Sequence, residues 1–261
     1  MREALTTDVL LGGALTLLQP RDGYRVNADA FLLAAFATAG RRPKLTVDLG
    51  SGVGSVALAL HAAGMTRELA LVEREAMLVE LARKNLESAS ATGAIHLVDL
   101  ATDGLPRALL QCADLVVSNP PFFEPGRGRA QKDPRTRAAR SGELEPFVRA
   151  AARALSGPRA RACFVYPARS LTELLVAAQE AGLVPKRLRM VHATADSPAR
   201  VALAELRLAR PGGLEVEPPL VEWQRPGVRT SELREIVEGR FAQRSPHKRS
   251  NKIAAAARTL K

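Results

Sequence analysis

Residues 45–73 read LTVDLGSGVGSVALALHAAGMTRELALVE, a pattern that predicts a strand, a glycine-rich loop, a helix and a second strand. The apolar runs 45–48 and 68–73 have the length of buried strands, and residues 54–64 between them have the length of a helix. A helix that connects two strands in this way places them parallel in one sheet. This stretch therefore predicts an α/β fold.

The alternation of strands and helices continues towards the C-terminus. Further helices are predicted over residues 75–87, 143–155 and 170–181, and further strands over 94–98, 114–118, 160–166, 188–192 and 201–209. No clear helix separates the last two strands, so the last strand is predicted to run antiparallel. The predicted fold is a doubly wound, Rossmann-like α/β sheet of seven strands, mostly parallel, with the last strand antiparallel.

Two smaller regions flank this core. Residues 9–19 predict a β-hairpin, residues 28–38 an apolar helix, and residues 231–239 a small helix before a basic tail. We therefore expect a capping hairpin and helix extension over residues 1–43, a core over 44–210, and a C-terminal appendage over 211–261.

The net charge of +11 is concentrated in two segments. Residues 126–140 contain six Lys or Arg and one Asp, and residues 240–261 contain seven Lys or Arg and no acidic residue. Crowding like charges costs free energy without an oppositely charged partner, so these segments favour nucleic-acid binding over simple solubility or a GC-rich genome's arginine bias. The candidate nucleic-acid-binding residues are Arg127, Arg129, Lys132, Arg135, Arg137, Arg140, Arg244, Lys248, Arg249 and Lys252.

Other patterns limit the classes of function. Cys112 and Cys163 lie in apolar, strand-like runs without a CxxC spacing, and no secretory signal is recognisable, which argues against a disulfide scaffold. The histidines are isolated from one another, so no metal site is predicted. The longest uncharged run, residues 49–66, contains four glycines and predicts a loop and a buried helix rather than a membrane span. We therefore expect a cytoplasmic protein.

The loop after the first core strand has the spacing GxGxG, formed by Gly50, Gly52 and Gly54 around Ser51. Glycines allow a tight turn and a close approach of a ligand to the backbone, although such turns also occur for packing alone. Asp48, just before the loop, is placed to hold the loop amides or to face a cationic ligand. A cationic ligand such as S-adenosylmethionine suits this arrangement better than a dinucleotide, because no phosphate has to meet the helix N-terminus.

Two acidic residues follow the next strands. Glu73 comes nineteen residues after Gly54, where a carboxylate can accept the hydroxyl protons of a ribose, and Asp99 follows the third strand, where it can hold a base edge. Each residue taken alone is equally well explained as a strand-end cap. Together with the glycine loop they favour an adenosine-type ligand.

The fourth strand is followed by Asn119-Pro120-Pro121-Phe122. The two prolines fix the backbone, so the Asn119 carboxamide oxygen and the Pro120 carbonyl are presented as two rigid acceptors. Two such acceptors suit an NH2 group, and Phe122 can stack on the planar group that carries it. These four residues are therefore the candidate catalytic residues; the alternative is a Pro-Pro turn with the phenylalanine packed inward.

The glycine loop and the Asn-Pro-Pro-Phe motif together resemble the class I S-adenosylmethionine-dependent methyltransferases, in their amino-methylating Asn-Pro-Pro-(Tyr/Phe) branch. The resemblance covers roughly residues 7–210. Within the branch, LLGG at residues 10–13 and GYRVNADAFLLA at 23–34 are most similar to bacterial tRNA1(Val) (adenine-37-N6)-methyltransferases.

The resemblance implies S-adenosyl-L-methionine as the cofactor. It places the methionine moiety at the loop of residues 50–54, the ribose at Glu73 and the adenine at Asp99. It also places Asp29 near the cofactor, and Asn119 beside both the cofactor and the target amine. The implied catalytic residues are again Asn119 to Phe122.

The function predicted in this way is N-methylation of an exocyclic amine of RNA, most simply N6 of adenine in tRNA. Three alternatives remain open at this point: N5-methylation of a glutamine in a translation protein, methylation of a ribosomal RNA base such as guanine at N2, and a non-catalytic RNA-binding module. The basic segments favour RNA over a protein substrate.

Overall fold

The structure is a computed structural model that describes residues 4–22, 25–121, 144–209 and 212–240. In chain order its strands are β1 (Leu5–Leu10), β2 (Leu15–Pro20), β3 (Leu45–Leu49), β4 (Glu68–Glu73), β5 (Gly93–Leu97), β6 (Leu115–Ser118), β7 (Arg161–Pro167), β8 (Leu183–His192), β9 (Ala199–Leu208), β10 (Glu215–Val216), β11 (Leu220–Val221), β12 (Trp223–Arg225) and β13 (Val228–Arg229). Its helices are α1 (Ala28–Ala37), α2 (Ser55–Ala62), α3 (Ala76–Ser88), α4 (Leu144–Ala154), α5 (Leu171–Glu180) and α6 (Ser231–Val237).

The central sheet has the strand order β5-β4-β3-β6-β7-β9-β8. Strands β5, β4, β3, β6 and β7 are parallel, and β9 runs antiparallel to both of its neighbours. The predicted doubly wound, mostly parallel sheet with an antiparallel last strand is therefore confirmed. The strand order reverses between β3 and β6, and such a switch point opens a crevice at the carboxyl ends of the strands.

The sheet is wider than the seven predicted strands. The two-residue strands β10 and β11 pair in parallel with the outer edge of β8, and β8 begins at Leu183 rather than Leu188. Strands of two residues have no detectable periodicity, so sequence patterns do not reveal them. Pro185 argues against a strand in the sequence, so the first half of β8 was not predicted. The pairing of β8 with β9 is irregular between Pro185 and Arg187, where a bulge accommodates the missing N–H of the proline.

Helices cover both faces of the sheet. Alternate residues of β4 point to opposite faces, because Leu71 packs in the cluster formed with α1, α2 and α3, whereas Val72 packs in the cluster formed with α4 and α5. Nearly every side chain of α1 is buried, which explains why its sequence is apolar on all sides. Both faces of the inner parallel strands β3, β4, β6 and β7 are therefore buried, which leaves the two edges where these strands begin and end as the places for polar chemistry.

The N-terminal hairpin is longer than predicted, because β1 begins at Leu5 and a short 3-10 turn at Leu11–Gly13 joins it to β2. No helix in the described part of the chain is long and apolar enough to cross a membrane. Phe122 and the ten candidate nucleic-acid-binding residues between 127 and 252 lie outside the described residues.

Candidate active site

The loops that follow β3, β4, β5 and β6 line one cleft at the carboxyl edge of the sheet, which we call the carboxyl-edge cleft. The predicted site residues in its lining are Gly50, Gly52, Glu73, Asp99, Asn119 and Pro121. The structure therefore brings together predicted residues from four strand ends that are far apart in sequence. This is the edge at which open α/β sheets bind ligands.

The glycine loop lies against β4 and beneath an aromatic ring. The backbone N–H groups of Gly50 and Ser51 donate to the Val72 carbonyl at 2.8 and 3.1 Å. Gly50 has φ +69°, and a Cβ at this position would lie 2.7 Å from Cε1 of Phe147. Only glycine satisfies both the left-handed backbone and the close contact with Phe147.

Two predicted residues of this region, Gly54 and Asp48, are not part of the described lining of the cleft. Gly54, with φ +87°, occupies the N-cap position of α2, and its N–H donates to the Ser51 carbonyl at 2.8 Å. Asp48 is buried, and its Oδ2 accepts a hydrogen bond of 3.1 Å from the Ala57 N–H in the first turn of α2. Both residues therefore shape the turn from strand to helix, and their direct contact with a cofactor stays a prediction.

Burial raises the pKa of the Asp48 carboxyl to about 7, and the negative charge of Glu73 adds to this rise, whereas the hydrogen bond from Ala57 opposes it. With this pKa, the Asp48 carboxyl changes between its protonated and ionised forms near neutral pH. A cationic ligand nearby would favour the ionised form.

The Glu73 carboxylate connects the glycine loop to the end of β4. Its Oε2 accepts from the Gly52 N–H at 2.8 Å, and its Oε1 accepts from the N–H groups of Arg74 and Glu75 at 2.8 and 3.0 Å. A carboxylate offers about four acceptor positions. Three of these are occupied by backbone amides, so one further donor, such as a ribose hydroxyl, can bind without disturbing the loop.

Asp99 lies in the turn after β5 and lines the same cleft as Glu73. Its Oδ1 accepts from the Ala101 N–H at 2.9 Å, and its own N–H donates to Asp103 Oδ2 at 3.1 Å. The neighbouring lining includes Leu78, an apolar side chain on the first turn of α3. This arrangement suits an adenine ring, because the polar Asp99 can bind the edge of the ring while the apolar Leu78 packs against its face.

Asn119 directly follows β6, whose Ser118 hydroxyl donates to the Leu49 carbonyl at 2.8 Å and so joins the ends of β6 and β3. The Asn119 Oδ1 atom is buried without a hydrogen-bond partner among the described residues, and so is Ser51 Oγ. A buried acceptor without a donor costs about 1–3 kcal/mol, so its presence at a cleft indicates a position that a ligand completes. Pro121 lines the cleft and Pro120 is buried beside it.

Asp29 lies at the start of α1 and is not part of the described cleft lining. Its Oδ1 is 2.7 Å from Nη1 of Arg200. Arg200 also donates through Nε and Nη2 to the two carboxylate oxygens of Glu222, at 3.1 and 2.8 Å. Asp29 therefore joins the N-terminal helix to β9 and to the C-terminal region, and its role beside the cofactor stays a prediction.

Sequence reasoning missed two residues that position the glycine loop. Phe147 approaches Gly50 from α4, about a hundred residues away in sequence, and no local signal reveals this contact. Asn85 on α3 is buried, and its side chain donates to the carbonyls of Leu18 and Val53, both at 3.0 Å, while accepting from the Leu18 N–H at 2.8 Å. Asn85 therefore fastens the N-terminal hairpin to the glycine loop. The one sequence feature that could have revealed this role is the position of a lone asparagine on the buried face of an amphipathic helix.

The lining fits S-adenosylmethionine. Glu73, Glu75 and Asp99 carry negative charge in the described lining, against the single cation Arg74, so the cleft favours a ligand with positive charge over a dinucleotide with two phosphates. The Asn119 Oδ1 atom, which has no partner among the described residues, is an acceptor that suits an amino group brought to this cleft.

Comparisons with known proteins agree with this chemistry. The methyltransferase small domain family matches residues 27–140. A tRNA1(Val) (adenine(37)-N6)-methyltransferase of Porphyromonas gingivalis is 29% identical over 213 residues, which cover 78% of this chain and 83% of the relative. An enzyme of the same name from Haemophilus influenzae is 33% identical over 105 residues, covering 39% of this chain and 44% of the relative.

Solved structures share the fold. A protein described as a predicted O-methyltransferase from Agrobacterium tumefaciens superposes with a TM-score of 0.63 at 21% identity, covering 81% of this chain and 96% of that one. A 16S rRNA N2 G1207 methyltransferase of T. thermophilus, in complex with AdoMet and guanosine, superposes with a TM-score of 0.54 at 19% identity, covering 78% of this chain and 50% of that one. Residues 27–140 therefore match a methyltransferase small domain, and this match and the named relatives together support a methyltransferase that uses S-adenosyl-L-methionine.

Proposed function

We propose that this methyltransferase modifies an exocyclic amine of RNA, and that its substrate is N6 of an adenine in tRNA. The observation that carries the proposal is the buried Oδ1 of Asn119 after β6, which has no hydrogen-bond partner among the described residues and is followed by two prolines that fix the backbone. The relatives named tRNA1(Val) (adenine(37)-N6)-methyltransferase support adenine as the base.

An exocyclic amine is a weak nucleophile because its lone pair is delocalised into the ring. Asn119 Oδ1 accepts one N–H of the amine, and the Pro120 carbonyl accepts the other. Two acceptors in a rigid arrangement draw the nitrogen towards tetrahedral geometry and direct its lone pair into the cleft. The neutral carboxamide of Asn119 orients the amine and does not act as a strong base.

The cofactor, when bound, supplies a methyl group already activated on a sulfonium. The chain holds it with the loop of residues 50–54, with Glu73 and with Asp99. Phe147 packs over Gly50 and keeps the loop in one shape. Because the methyl group is already activated, positioning and electrostatics supply most of the catalysis.

The partner in this proposal is tRNA, and the enzyme acts in the cytoplasm. The cationic residues of segments 127–140 and 244–252 contact its phosphates, and the first segment directly follows the Asn-Pro-Pro-Phe turn in sequence. A base in a loop is splayed out of its stack to reach Asn119, and Phe122 stacks on it.

The proposal is tested with methyl-labelled S-adenosylmethionine and three separate acceptors: total tRNA, ribosomal RNA and a release-factor protein. Nucleoside analysis of labelled RNA should show N6-methyladenosine in the tRNA sample alone. If the label appears in ribosomal RNA as N2-methylguanosine, or in the protein, the proposed tRNA substrate is wrong and the methyltransferase assignment remains intact. Measurable cofactor binding without label in any acceptor would contradict the proposal and favour a non-catalytic RNA-binding role.

A further inference from the structure

The opposite edge of the sheet holds a second cavity, of about 780 Å³, where β3, β6 and β7 begin and β9 ends. We call it the amino-edge cavity. Its lining contains six cationic residues: Arg41, Arg42, Lys44, Arg159, Arg161 and Arg207. These residues come from three separate parts of the chain, and the fold gathers them at one place.

The positive charge of this cavity is poorly compensated. Asp114 is the one carboxylate in the described lining, and its Oδ2 accepts from the Lys44 backbone N–H at 2.8 Å. Arg207 is paired with Glu205 at 2.5 Å. Arg41, Lys44 and Arg159 are exposed and form no ion pair with any residue that the structure describes. Several like charges in one cavity attract an anion.

The cavity is built on a buried guanidinium. Arg161 is 5% exposed, and it donates through Nη2 to the Ala37 carbonyl at 2.9 Å and through Nη1 to the Ala39 carbonyl, at the end of α1. Burial lowers the pKa of Arg161, and its Nε has no hydrogen-bond partner among the described residues. The site therefore contains a fixed cation that lacks a full set of acceptors.

The segment that carries Arg41 and Arg42 is held in shape by this guanidinium. Gly40 has φ +95°, and a Cβ at Gly40 would collide with Nη1 of Arg161. Arg42 donates through Nη2 to the Thr66 carbonyl at 2.9 Å. The position of these cations is therefore set by glycine geometry and buried hydrogen bonds, unlike that of a random surface cluster.

The lining also indicates which anion fits. Its described residues include no aromatic and no large aliphatic side chain, so a nucleobase would find no surface on which to stack. The cavity therefore suits phosphate groups without their bases. Strand β3, which separates it from the carboxyl-edge cleft, spans five residues or roughly 17 Å, a distance that a folded RNA readily bridges.

We propose that the amino-edge cavity binds backbone phosphates of the RNA substrate, as a second contact on the edge of the sheet opposite to the active site. The proposal rests on the RNA substrate proposed above. It assigns Arg41, Lys44 and Arg159 as the phosphate contacts and Arg161 as the residue that positions them.

The test compares two double variants of the full chain. R41Q/R159Q removes two exposed cations of the cavity, and R83Q/K84Q removes two exposed cations from α3 as a matched control. Equilibrium binding of an unmodified tRNA transcript is measured at several salt concentrations, together with methylation kinetics and cofactor binding. For R41Q/R159Q we expect about a tenfold weaker affinity, a salt dependence shallower by about 1.5 in log–log slope, a raised KM for tRNA, and unchanged kcat and cofactor affinity.

The outcomes separate this proposal from the proposed function. If the wild type methylates tRNA and R41Q/R159Q binds it as R83Q/K84Q does, the cavity is no RNA contact and the proposed function stands. If the wild type neither binds nor methylates RNA, both proposals fail. If R41Q/R159Q weakens the direct binding of inorganic pyrophosphate while leaving tRNA affinity unchanged, the cavity takes a free phosphate and the RNA assignment is wrong.

Discussion

The two edges of the central sheet differ in charge and in the way they are assembled. The carboxyl-edge cleft has three acidic residues and one arginine in its described lining, whereas the amino-edge cavity has six cations and one aspartate. One edge suits a cationic cofactor and the other a polyanion. The difference shows that a parallel sheet can separate two opposite electrostatic environments by the length of its strands, because both of its faces are covered by helices.

The largest expected effect is at the end of β6. Asn119→Ala removes the unpartnered acceptor from the carboxyl-edge cleft, and we expect kcat to fall by at least 100-fold, since each preorganised polar group at a reacting centre contributes about this much. The affinities for cofactor and tRNA should remain within about threefold of the wild type, as measured by calorimetry and filter binding. A kcat within tenfold of the wild type would show that Asn119 does not orient the amine.

A buried cation should dominate stability at the other edge. Arg161→Met leaves the carbonyls of Ala37 and Ala39 without their donor, and we expect the free energy of unfolding in urea to fall by about 3 kcal/mol. Arg83→Met, on the exposed face of α3, is the control and should change it by less than about 0.5 kcal/mol. Equal stabilities of the two variants would mean that Arg161 does not hold the segment before β3.

The pH dependence of stability should reveal Asp48. Its pKa of about 7 in the folded state lies above the ordinary value of 3.8 for an aspartate, so the folded protein holds a proton that the unfolded chain releases as the pH rises from 4 to 7. The free energy of unfolding of the wild type should therefore fall relative to that of Asp48→Asn, by about 2 kcal/mol between pH 5 and 7. Urea titrations at several pH values measure this difference; parallel curves for the two proteins would contradict the raised pKa.

The smallest effect separates backbone strain from close contact. Gly50 and Gly64 have nearly the same φ, +69° and +68°, but only at Gly50 would a Cβ meet a neighbour, the Phe147 ring. Both alanine variants should lose about 1 kcal/mol of stability from the left-handed backbone. Gly50→Ala alone should weaken cofactor binding, by about tenfold in calorimetry. Equal cofactor affinities would show that the contact with Phe147 does not shape the cleft.

The carboxyl-edge cleft was largely predictable from sequence, because each of its main residues directly follows a strand. Glu73, Asp99 and Asn119 were all identified from such positions, and the structure places the three in one cleft. The hydrogen bonds that Glu73 already makes to three backbone amides were not predictable, because they depend on how the glycine loop folds back on β4.

The charge distribution was predictable only in part. Segments 126–140 and 240–261 are basic in the sequence itself, and the rest of the chain is nearly neutral. The cations of the amino-edge cavity belong to that neutral remainder. Their charge is balanced along the chain by acidic residues that the fold places elsewhere, such as those of the carboxyl-edge cleft.

The sequence by itself determined the parallel sheet, the glycine turn and the residues at the ends of its strands. These features depend on local periodicity and on the rule that consecutive parallel strands end at the same edge. Only the tertiary structure decided the contact of Phe147 with Gly50, the fastening of the hairpin by Asn85, and the amino-edge cavity. Each of these joins segments that are distant in sequence, and their proximity follows from strand order and helix packing, which no local pattern encodes.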